Sequence, residues 1–276
     1  MIHDGKTKVI ARLHTKFSPR ALNIYNPYFE ETGVNAVFLL FQNPDPKPLI
    51  EGMKSLGFSG AVSVGFETDP NFAQLMDELD ETSKIVGHIG FVKNIEGKLR
   101  GFYQGGKGEL LAIQSAIDVA GKDIVLVGAG NVAKALVFEM SKLPVLPKSV
   151  TILNRTIEKL EGFKKYPFVK SVGGLEDLQK ASGDILVNAT PIGVTITDVL
   201  YTEDIVKRFI AVSDVTFEKE DTNLVLLAKK LDKKFATGWD MFTYQGLVVL
   251  EGILDIKVDP IILKKHVIAG LSQTVK

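Results

Sequence analysis

Short apolar runs alternate with amphipathic segments along the chain, a pattern typical of α/β proteins. In the first hundred residues, the runs that predict strands lie at 8–13, 35–41 and 61–64. The segments that predict helices there lie at 20–32, 48–56 and 72–79. Further runs at 85–94 and 99–102, on either side of Glu96-Gly-Lys98, predict a β-hairpin, because a short glycine-containing loop suits such a turn.

The second half of the chain continues the alternation. A helix is predicted over 109–119, after a glycine-rich stretch at 105–108 that predicts a hinge or a plain turn. Residues 123–237 then repeat the strand–helix pattern, which predicts a doubly wound parallel sheet. Two more helices are predicted at 241–254 and 260–271. At about 150 residues for each domain, the 276 residues suggest two domains.

A glycine motif follows the apolar run at 124–127. Gly128-Ala-Gly-Asn-Val-Ala133 has the G-x-G-x-x-A spacing of a dinucleotide-binding loop. Gly128 permits the tight turn from strand to helix, Gly130 lets the backbone approach a pyrophosphate, and Ala133 lets the helix pack closely on the strand. The helix would begin near Asn131, and its first backbone N–H groups would hold the phosphates. The alternative is a purely structural turn.

The next predicted strand ends in Asn154-Arg-Thr156, and no acidic residue occurs between Ser149 and Thr156. An NAD site would carry Asp or Glu here to bind the ribose hydroxyls. Arg155 instead suits a 2′-phosphate, because its planar guanidinium can donate two hydrogen bonds to one phosphate. The pattern therefore indicates NADP as the cofactor. The alternative is that Arg155 is only a surface charge.

Composition narrows the class of protein without naming a reaction. The chain is 45% hydrophobic and 24% charged, and 33 basic residues balance 33 acidic ones, so no nucleic-acid or membrane partner is expected. No apolar run approaches the roughly 20 residues of a membrane span, and residues 1–8 lack the apolar core of a signal peptide. The chain has no cysteine and four histidines without metal-ligand spacing. A cytoplasmic protein without a metal is therefore expected.

Four further segments follow the pattern of one family. They are Phe17-Ser-Pro-Arg20 with Asn23, Asn188-Ala-Thr-Pro-Ile-Gly193, Asp214-Val-Thr-Phe217 with Thr222, and Gly238 to Gly246. Together with the two motifs above, they make the chain resemble the shikimate dehydrogenase family over nearly its whole length. The resemblance implies NADP-dependent, reversible reduction of 3-dehydroshikimate to shikimate, in aromatic amino acid biosynthesis. A Lys and an Asp would carry the proton chemistry.

The resemblance also implies an architecture and a set of site residues. The fold would be α/β, with an N-terminal α/β substrate domain (1–105 plus 241–276) and a Rossmann-type, doubly wound NADP-binding domain (106–240). The residues expected to bind NADP are Gly128, Ala129, Gly130, Asn131, Val132, Ala133, Asn154, Arg155, Thr156, Thr190, Gly238 and Met241. Those expected to bind the substrate are Lys16, Ser18, Ser63 and Gln245.

The sequence departs from the family at the positions that carry chemistry. The family's N-V-T-x-P-x-K aligns best with Ala61–Glu67 and places Glu67 at the Lys position, whereas an alignment shifted by one residue would place Thr68 there, so the Lys is absent either way. Its G-Y-N-T-D-G-x-G aligns with Gly101–Gly108 and places Gly105 at the Asp position. The other exchanges of polar family residues are Asn to Ala61, Asn to Gly90, Asn to Tyr103, Thr to Gln104 and Ser to Lys16, with His14 and His88 as new polar neighbours.

Two functions follow, and the sequence does not assign a catalytic residue in either. The first is an NADP-dependent oxidoreductase with weak activity or an altered, small polar or carboxylated substrate, in which Glu67 or a water it orients replaces the Lys. The second is a non-catalytic NADP-binding protein of the same fold, because Gly105 has no titratable group. A general acid–base group contributes about 10²–10⁴-fold to a rate. A monomer or a homodimer is expected.

Overall fold

The computed structural model describes residues 3–14, 19–193, 200–218 and 221–272. The chain divides into two compact units. Unit 1 is Met1–Gln104 together with Gln245–Lys276, and unit 2 is Gly105–Tyr244. No helix within the described ranges is long and apolar enough to cross a lipid bilayer.

The described residues form two six-stranded sheets, one in each unit. The strands are β1 (Lys8–His14), β2 (Ala36–Gln42), β3 (Gly60–Val64), β4 (Glu78–Leu79), β5 (Phe91–Ile95), β6 (Lys98–Phe102), β7 (Asp123–Val127), β8 (Ser149–Leu153), β9 (Val169–Gly173), β10 (Ile185–Asn188), β11 (Ala211–Asp214) and β12 (Lys234–Ala236). The α-helices are α1 (Leu22–Thr32), α2 (Pro46–Ser55), α3 (Pro70–Gln74), α4 (Glu81–Val86), α5 (Gly105–Ala116), α6 (Asn131–Met140), α7 (Glu203–Val206), α8 (Asn223–Lys230), α9 (Gly238–Leu254) and α10 (Pro260–Ser272). Short 3₁₀ helices occupy Pro19–Ala21, Ile157–Phe163 and Leu175–Gln179.

The sheet of unit 1 is mixed and runs in the order β2-β1-β3-β5-β6-β4. β1 is parallel to β2 and β3, whereas β3 with β5 and β5 with β6 are antiparallel pairs. Ala11 and Leu13 of β1 pack in one hydrophobic cluster with α2. Because side chains alternate along a strand, Arg12 belongs to the opposite face. The register pairs Leu13 with Ser63, so the carboxyl ends of β1 and β3 lie side by side.

The sheet of unit 2 is parallel throughout and runs in the order β9-β8-β7-β10-β11-β12. This is the 3-2-1-4-5-6 order of a Rossmann-type fold, which confirms the predicted fold class. Ile124 and Leu126 of β7 join the core on one face of the sheet, and Val125 and Val127 join the core on the other. The central strand is therefore apolar along its whole length, because both of its faces are covered.

The helix predicted over 72–79 is wrong in its second half. Helix α3 ends at Gln74, and β4 follows as a strand parallel to β6. The carboxylate of Asp77 fixes this edge, because it accepts a hydrogen bond from the backbone N–H of Leu99 at 2.7 Å. The sequence pattern predicted a helix because it does not show the hydrogen bond between Asp77 and Leu99, which accompanies the extended conformation of this segment.

The strand predicted over 85–94 is also too long, because it begins only at Phe91. Its first two residues belong to helix α4, which ends at Val86 and is capped by Gly87 in the left-handed conformation with a φ of 65°. The predicted hairpin itself is confirmed. Its two-residue turn, Glu96 and Gly97, has φ values of 52° and 87°, as a type I′ turn requires.

The glycine-rich stretch at 105–108 is helical and is not a plain turn. Helix α5 begins at Gly105 and includes all three glycines. A Cβ on Gly106 would lie 2.3 Å from the carbonyl carbon of Ala135 in α6. The glycines therefore allow α5 and α6 to pack closely, a reason that cannot be read from local sequence because Ala135 is 29 residues away along the chain.

Candidate functional site

The tight turn after β7 is the first part of the site in unit 2. Gly128 has a φ of 118°, and a Cβ on it would lie 2.5 Å from the carbonyl oxygen of Ala189. Glycine is therefore required both by the backbone conformation and by space. The backbone N–H of Gly128 donates to the carbonyl oxygen of Leu153 at 2.8 Å. These contacts bring together the loops that follow β7, β8 and β10.

The amino end of helix α6 is the second part. Gly130 is its N-cap in an extended conformation, with no side-chain hydrogen bond to the first turn. A Cβ placed on Gly130 would meet no atom within 4 Å, so the glycine keeps open space in front of the helix. The first N–H groups of a helix have no partner within the helix and attract anions. Ala133 is fully buried, as the motif predicts.

The loop after β8 holds Arg155 at the same edge. The side-chain amide of Asn154 donates to the carbonyl oxygen of Thr156 at 2.8 Å, which closes the loop around Arg155. Arg155 is exposed and makes no hydrogen bond or ion pair with any residue that the structure describes. Its guanidinium is therefore available to an anion, although burial does not strengthen the interaction.

A buried polar network supports the ends of β10 and β11. The side-chain oxygen of Asn188 accepts hydrogen bonds from the backbone N–H and the hydroxyl of Thr190, at 3.1 and 2.7 Å. Its amide donates to Asp214 at 3.1 Å, and Asp214 also accepts from the hydroxyl of Thr222 at 2.7 Å. Burial raises the pKa of Asp214, and these hydrogen bonds oppose the shift. The network fixes Thr190 beside Gly128.

The start of helix α9 completes this edge. A Cβ on Gly238 would lie 2.1 Å from the carbonyl oxygen of Thr216, so α9 begins in direct contact with the loop after β11. Met241, one turn later, packs in an apolar cluster with Val132 of the first turn of α6. Two residues that are far apart in sequence thus lie together near the amino end of α6.

The described residues at this edge fit a dinucleotide that carries an additional phosphate. Open space at Gly130 and the amino end of α6 suit the pyrophosphate, and Arg155, which has no ion pair among the described residues, suits the 2′-phosphate. The contacts bring together the loops that carry Gly128, Arg155 and Thr190. Gly238 and Met241 lie against the loop after β11 and α6.

In unit 1, Glu67 follows β3 on a loop that begins at Gly65. Its carboxylate accepts the backbone N–H of Gly65 at 2.6 Å, and its carbonyl oxygen accepts the N–H of Ile89 at 2.8 Å. Glu67 is close enough to His88 to favour the protonated imidazole, but burial outweighs it and lowers the pKa of His88. The carboxylate that the sequence alignment predicts at the family's Lys position is therefore held by its own loop.

The other expected substrate residues differ in how available they are. Ser63 is 3% exposed, and its hydroxyl donates to the carbonyl oxygen of Ile89 at 2.5 Å, so only its lone pairs are left for a ligand. Gln245 is half-buried, and its amide makes no hydrogen bond with a described residue. Lys16 and Ser18 lie outside the described residues. Gly105, which the sequence alignment predicts at the family's Asp position, is a buried residue of α5.

His88, Tyr103 and Gln104 form a neighbouring group in unit 1. The rings of His88 and Tyr103 lie 4.8 Å apart between centroids. Burial raises the pKa of Tyr103 to about 12, so the phenol keeps its proton at neutral pH and can donate a hydrogen bond. The side-chain oxygen of Gln104 is buried without a hydrogen-bond partner. Polar groups that replace family residues therefore lie together here.

Arg12 was not identified from the sequence. Its Nε atom is buried without a hydrogen-bond partner. Burial lowers the pKa of Arg12, whereas the nearby Tyr25 and Glu67 oppose that shift. The guanidinium thus lies near the loop that carries Glu67, on the face opposite Ala11. The available signal was a positive charge within the apolar run that forms β1.

Glu109 was also missed, because a glutamate within a helix gives no local signal of burial. Its side chain in α5 is 0% exposed. One carboxyl oxygen accepts the hydroxyl of Ser213 in β11 at 2.7 Å, and the other has no hydrogen-bond partner. Burial raises the pKa of Glu109 to about 8, the hydrogen bond from Ser213 lowers it, and Asp214 and Asp240 add to the rise. Glu109 is therefore mostly protonated at neutral pH.

Comparison with known proteins places these features in one family. No protein-family model matches the sequence. The NADP⁺-dependent shikimate dehydrogenase of Pyrococcus furiosus is 31% identical over 245 residues, which cover 88% of the chain and 89% of that enzyme. The corresponding enzyme of Methanocaldococcus jannaschii is 30% identical over an alignment of 294 residues, with coverage of 98% and 99%.

The structural comparison agrees with the sequence comparison. A solved shikimate dehydrogenase in complex with NADP⁺ superimposes with a TM-score of 0.79 at 28% identity, and the match covers 100% of the chain and 98% of that structure. Identity of about 30% over nearly complete chains exceeds a likeness of fold alone. The chain therefore belongs to the shikimate dehydrogenase family.

Proposed function

We propose that the protein is an NADP-dependent oxidoreductase whose substrate is a small polar or carboxylated carbonyl compound, with weak or altered activity relative to the family reaction. The observation that carries this proposal is the edge of unit 2. Gly128 is sterically obligatory there, and Gly130 leaves open the space that a bound phosphate would occupy. Relatives that match most of the length of the chain are named as NADP⁺-dependent enzymes.

The cofactor would be held by the residues of that edge. The backbone N–H groups at 130–133 would bind the pyrophosphate, and Arg155 would bind the 2′-phosphate that distinguishes NADPH from NADH. Thr190, Gly238 and Met241 would line the remainder of the nucleotide site. When bound, NADPH supplies a hydride for a carbonyl carbon, and the carbonyl oxygen takes up a proton as the alcohol forms.

The proton chemistry must differ from that of a Lys–Asp pair. Glu67 can transfer a proton, but its charge repels an anionic substrate, and it stabilises a developing alkoxide only when protonated. Glycine at 105 transfers no proton. We therefore assign proton transfer to Glu67 or to a water it orients, with Ser63 and Gln245 as substrate contacts. Lys16 and Ser18 are proposed as further contacts on sequence grounds alone.

The domain roles and the setting of the protein belong to the same proposal. Substrate binding is assigned to 1–105 with 241–276, and NADP binding to 106–240. The protein would act in the cytoplasm as a monomer or a homodimer, on a small molecule.

A second candidate function is a non-catalytic NADP-binding protein. It is favoured by the pairing of Glu67 with Gly105, since together they remove both proton-transfer groups of the family. Restoring Lys at 67 and Asp at 105 would separate the candidates poorly, because Ala61, Gly90 and Tyr103 also differ from the family.

The first experiment is a fluorescence titration of the purified protein with NADPH and, in parallel, with NADH. Tight binding of NADPH and weaker binding of NADH are expected if Arg155 binds the 2′-phosphate. Binding of neither nucleotide would overturn both candidate functions, because both require an occupied nucleotide site.

A turnover screen then separates the two candidates. The saturated protein is mixed with 3-dehydroshikimate and with a panel of small keto acids and hydroxyketones, and NADPH oxidation is followed by absorbance. Turnover of any member at a rate that depends on enzyme concentration supports the oxidoreductase. Nucleotide binding without turnover across the panel supports the non-catalytic protein.

A further inference from the structure

We propose that the carboxamide of Gln104 is the substrate-binding amide of unit 1 and occupies the place that a side chain at position 90 would fill. The inference rests on the proposed function and names a specificity-determining residue for it. Gly90 and Gln104 both depart from the family pattern. Under this proposal the two departures are linked, because an amide lost from position 90 before β5 is replaced by the amide of Gln104 after β6.

The two residues compete for the same space. A Cβ built on Gly90 would lie 1.9 Å from Oε1 of Gln104, 2.7 Å from its Cδ and 2.8 Å from its Nε2. The whole carboxamide thus lies where a side chain at position 90 would begin. The φ of Gly90 is outside the left-handed region, so its backbone conformation does not require glycine. A side chain at position 90 and the present conformation of the Gln104 side chain therefore exclude each other.

The backbone around Gly90 is fixed, so movement of the chain cannot relieve this competition. The N–H of Gly90 donates to the carbonyl oxygen of Phe102 at 2.8 Å, and its carbonyl oxygen accepts the N–H of Ser63 at 3.1 Å. Gly90 is therefore held between the ends of β3 and β6. Only a rotation of the Gln104 side chain would make room for another side chain.

The amide of Gln104 also makes no hydrogen bond with any residue that the structure describes. Its Oε1 atom is buried without a hydrogen-bond partner, and its Nε2 atom makes no hydrogen bond with a described residue. Buried amide oxygens are nearly always hydrogen-bonded, because removal from water is otherwise unfavourable. A ligand that brings a hydroxyl donor to Oε1 and an acceptor to Nε2 would satisfy both ends.

The surroundings indicate the class of that ligand. Next to Gln104, Tyr103 keeps its phenolic proton, and its ring contacts His88, whose pKa is lowered by burial. The Tyr103 phenol and the His88 imidazole therefore favour their neutral forms, and Glu67 is the charged group close to His88. This chemistry suits a small polyhydroxylated compound, whose hydroxyl groups can each donate and accept.

The test uses shikimate as a polyhydroxylated probe and the NADP⁺-saturated protein, with binding measured by calorimetry. Gln104→Leu removes the amide and keeps most of the side-chain volume. We expect the dissociation constant for shikimate to rise at least about tenfold, with no change in NADP⁺ affinity. Gln114→Leu, at an exposed position of α5, is the matched control and should bind shikimate as the unaltered protein does.

A relocation experiment tests the shared space directly. Gly90→Asn alone should lower shikimate affinity, because the new side chain collides with Gln104. Gly90→Asn combined with Gln104→Ala should bind more tightly than Gln104→Ala alone, because the amide returns from the other strand end. Far-ultraviolet circular dichroism and the NADP⁺ dissociation constant report whether each variant is folded. A merely structural role for Gln104 would not produce this rescue.

Three results would overturn the inference. They are no shikimate binding to the unaltered protein, unchanged affinity in Gln104→Leu, and a double variant that binds no better than Gln104→Ala. Each can occur while NADP⁺ still binds, which leaves the proposed function standing. Loss of NADP⁺ binding in the unaltered protein would instead overturn the proposed function itself.

Discussion

The two units differ in how closely their residues follow the family's sequence pattern. In unit 2, Gly128, Ala133 and the loop around Arg155 keep the pattern; Gly128 is enforced by a close contact, and Ala133 is fully buried. In unit 1, β1 and β3 lie side by side, but the sequence alignment predicts Glu67 at the Lys position and new polar groups such as Gln104. The difference teaches that a binding site made of backbone groups is constrained by the fold, whereas a binding site made of side chains can change its residues while the fold stays the same.

A nucleotide site of this type consists mainly of backbone N–H groups and the space that glycines leave. Substitution at Gly128 disturbs the turn, so the site and the fold are coupled. Under our proposal, substrate recognition in unit 1 would depend on side chains at strand ends, where Gln104 would compensate for the exchange of Asn for Gly at 90. Fold and chemistry can therefore separate within one chain.

The largest expected effect concerns proton transfer in unit 1. On a substrate that the protein turns over, Glu67→Gln should lower kcat by about 10²–10⁴-fold, because a general acid–base group contributes that much. Steady-state kinetics across pH provide the measurement, and the variant should also lose a pH-dependent limb of the kcat profile. Glu51→Gln, at an exposed position, is the control. An unchanged kcat in Glu67→Gln would assign proton transfer to another group.

The next effect concerns the buried carboxyl of unit 2. The pKa of Glu109 is about 8 in the folded protein against 4.5 for a free side chain. Between these values the folded state holds a proton that the unfolded state has released, so the free energy of unfolding falls as pH rises, by about 1.4 kcal/mol for each pH unit. This stabilisation is complete below pH 4.5 and fully lost above about pH 8.

Glu109→Gln should remove that dependence, since a neutral amide mimics the protonated carboxyl. The variant should match the unaltered protein at low pH and exceed its stability at pH 9, as measured by urea unfolding at several pH values. Asp214, whose pKa burial also raises, leaves a residual slope of the same sign. Glu158→Gln, at an exposed position, should change nothing. Equal slopes in Glu109→Gln and the unaltered protein would mean that Glu109 is ionised when folded.

The sequence predicted unit 2 well because its signals are local. The apolar run of β7, the glycine spacing and Arg155 all lie within 33 residues, so strand, turn, helix and next strand could be placed without tertiary information. Rules for connecting parallel strands then leave few possible sheet orders. The carboxyl ends of the strands, and with them the site, follow directly from that order.

What could not be predicted depends on contacts between distant residues. The glycines at 105–108 were interpreted as a connection because the contact between Gly106 and Ala135 is invisible in sequence. The relation of Gly90 to Gln104 needs the register of neighbouring strands. The burial of Arg12 and Glu109 has the same origin, because a charge in a strand or helix is ordinarily assigned to a solvent-facing side.

A smaller effect should separate the two glycines of the nucleotide loop. Gly128→Ala should destabilise unit 2 by about 2–3 kcal/mol, because the backbone is in a conformation that L-residues rarely adopt and the Cβ meets a carbonyl oxygen. Gly130→Ala is the matched comparison and should change stability by less than about 1 kcal/mol, since its Cβ meets no atom. It should nevertheless weaken NADPH binding, because the methyl group fills the space in front of α6. Thermal unfolding and NADPH titration of both variants give the result, and equal stabilities would contradict the steric role of Gly128.

The smallest effect concerns the choice between NADPH and NADH. Arg155→Ala should weaken NADPH binding by roughly tenfold and leave NADH binding unchanged, because only the 2′-phosphate contacts the guanidinium. The loss is modest because Arg155 is exposed, and water and salt screen an exposed charge pair. The NADPH affinity of the unaltered protein should therefore fall more steeply with salt than that of the variant. Lys170→Ala, another exposed cation of unit 2 without an ion pair among the described residues, is the control for a general loss of charge. If both variants weaken NADPH and NADH binding alike, unit 2 binds nucleotides through general electrostatic attraction. Arg155 would then have no specific role, and its position would be no more constrained than the substrate positions of unit 1.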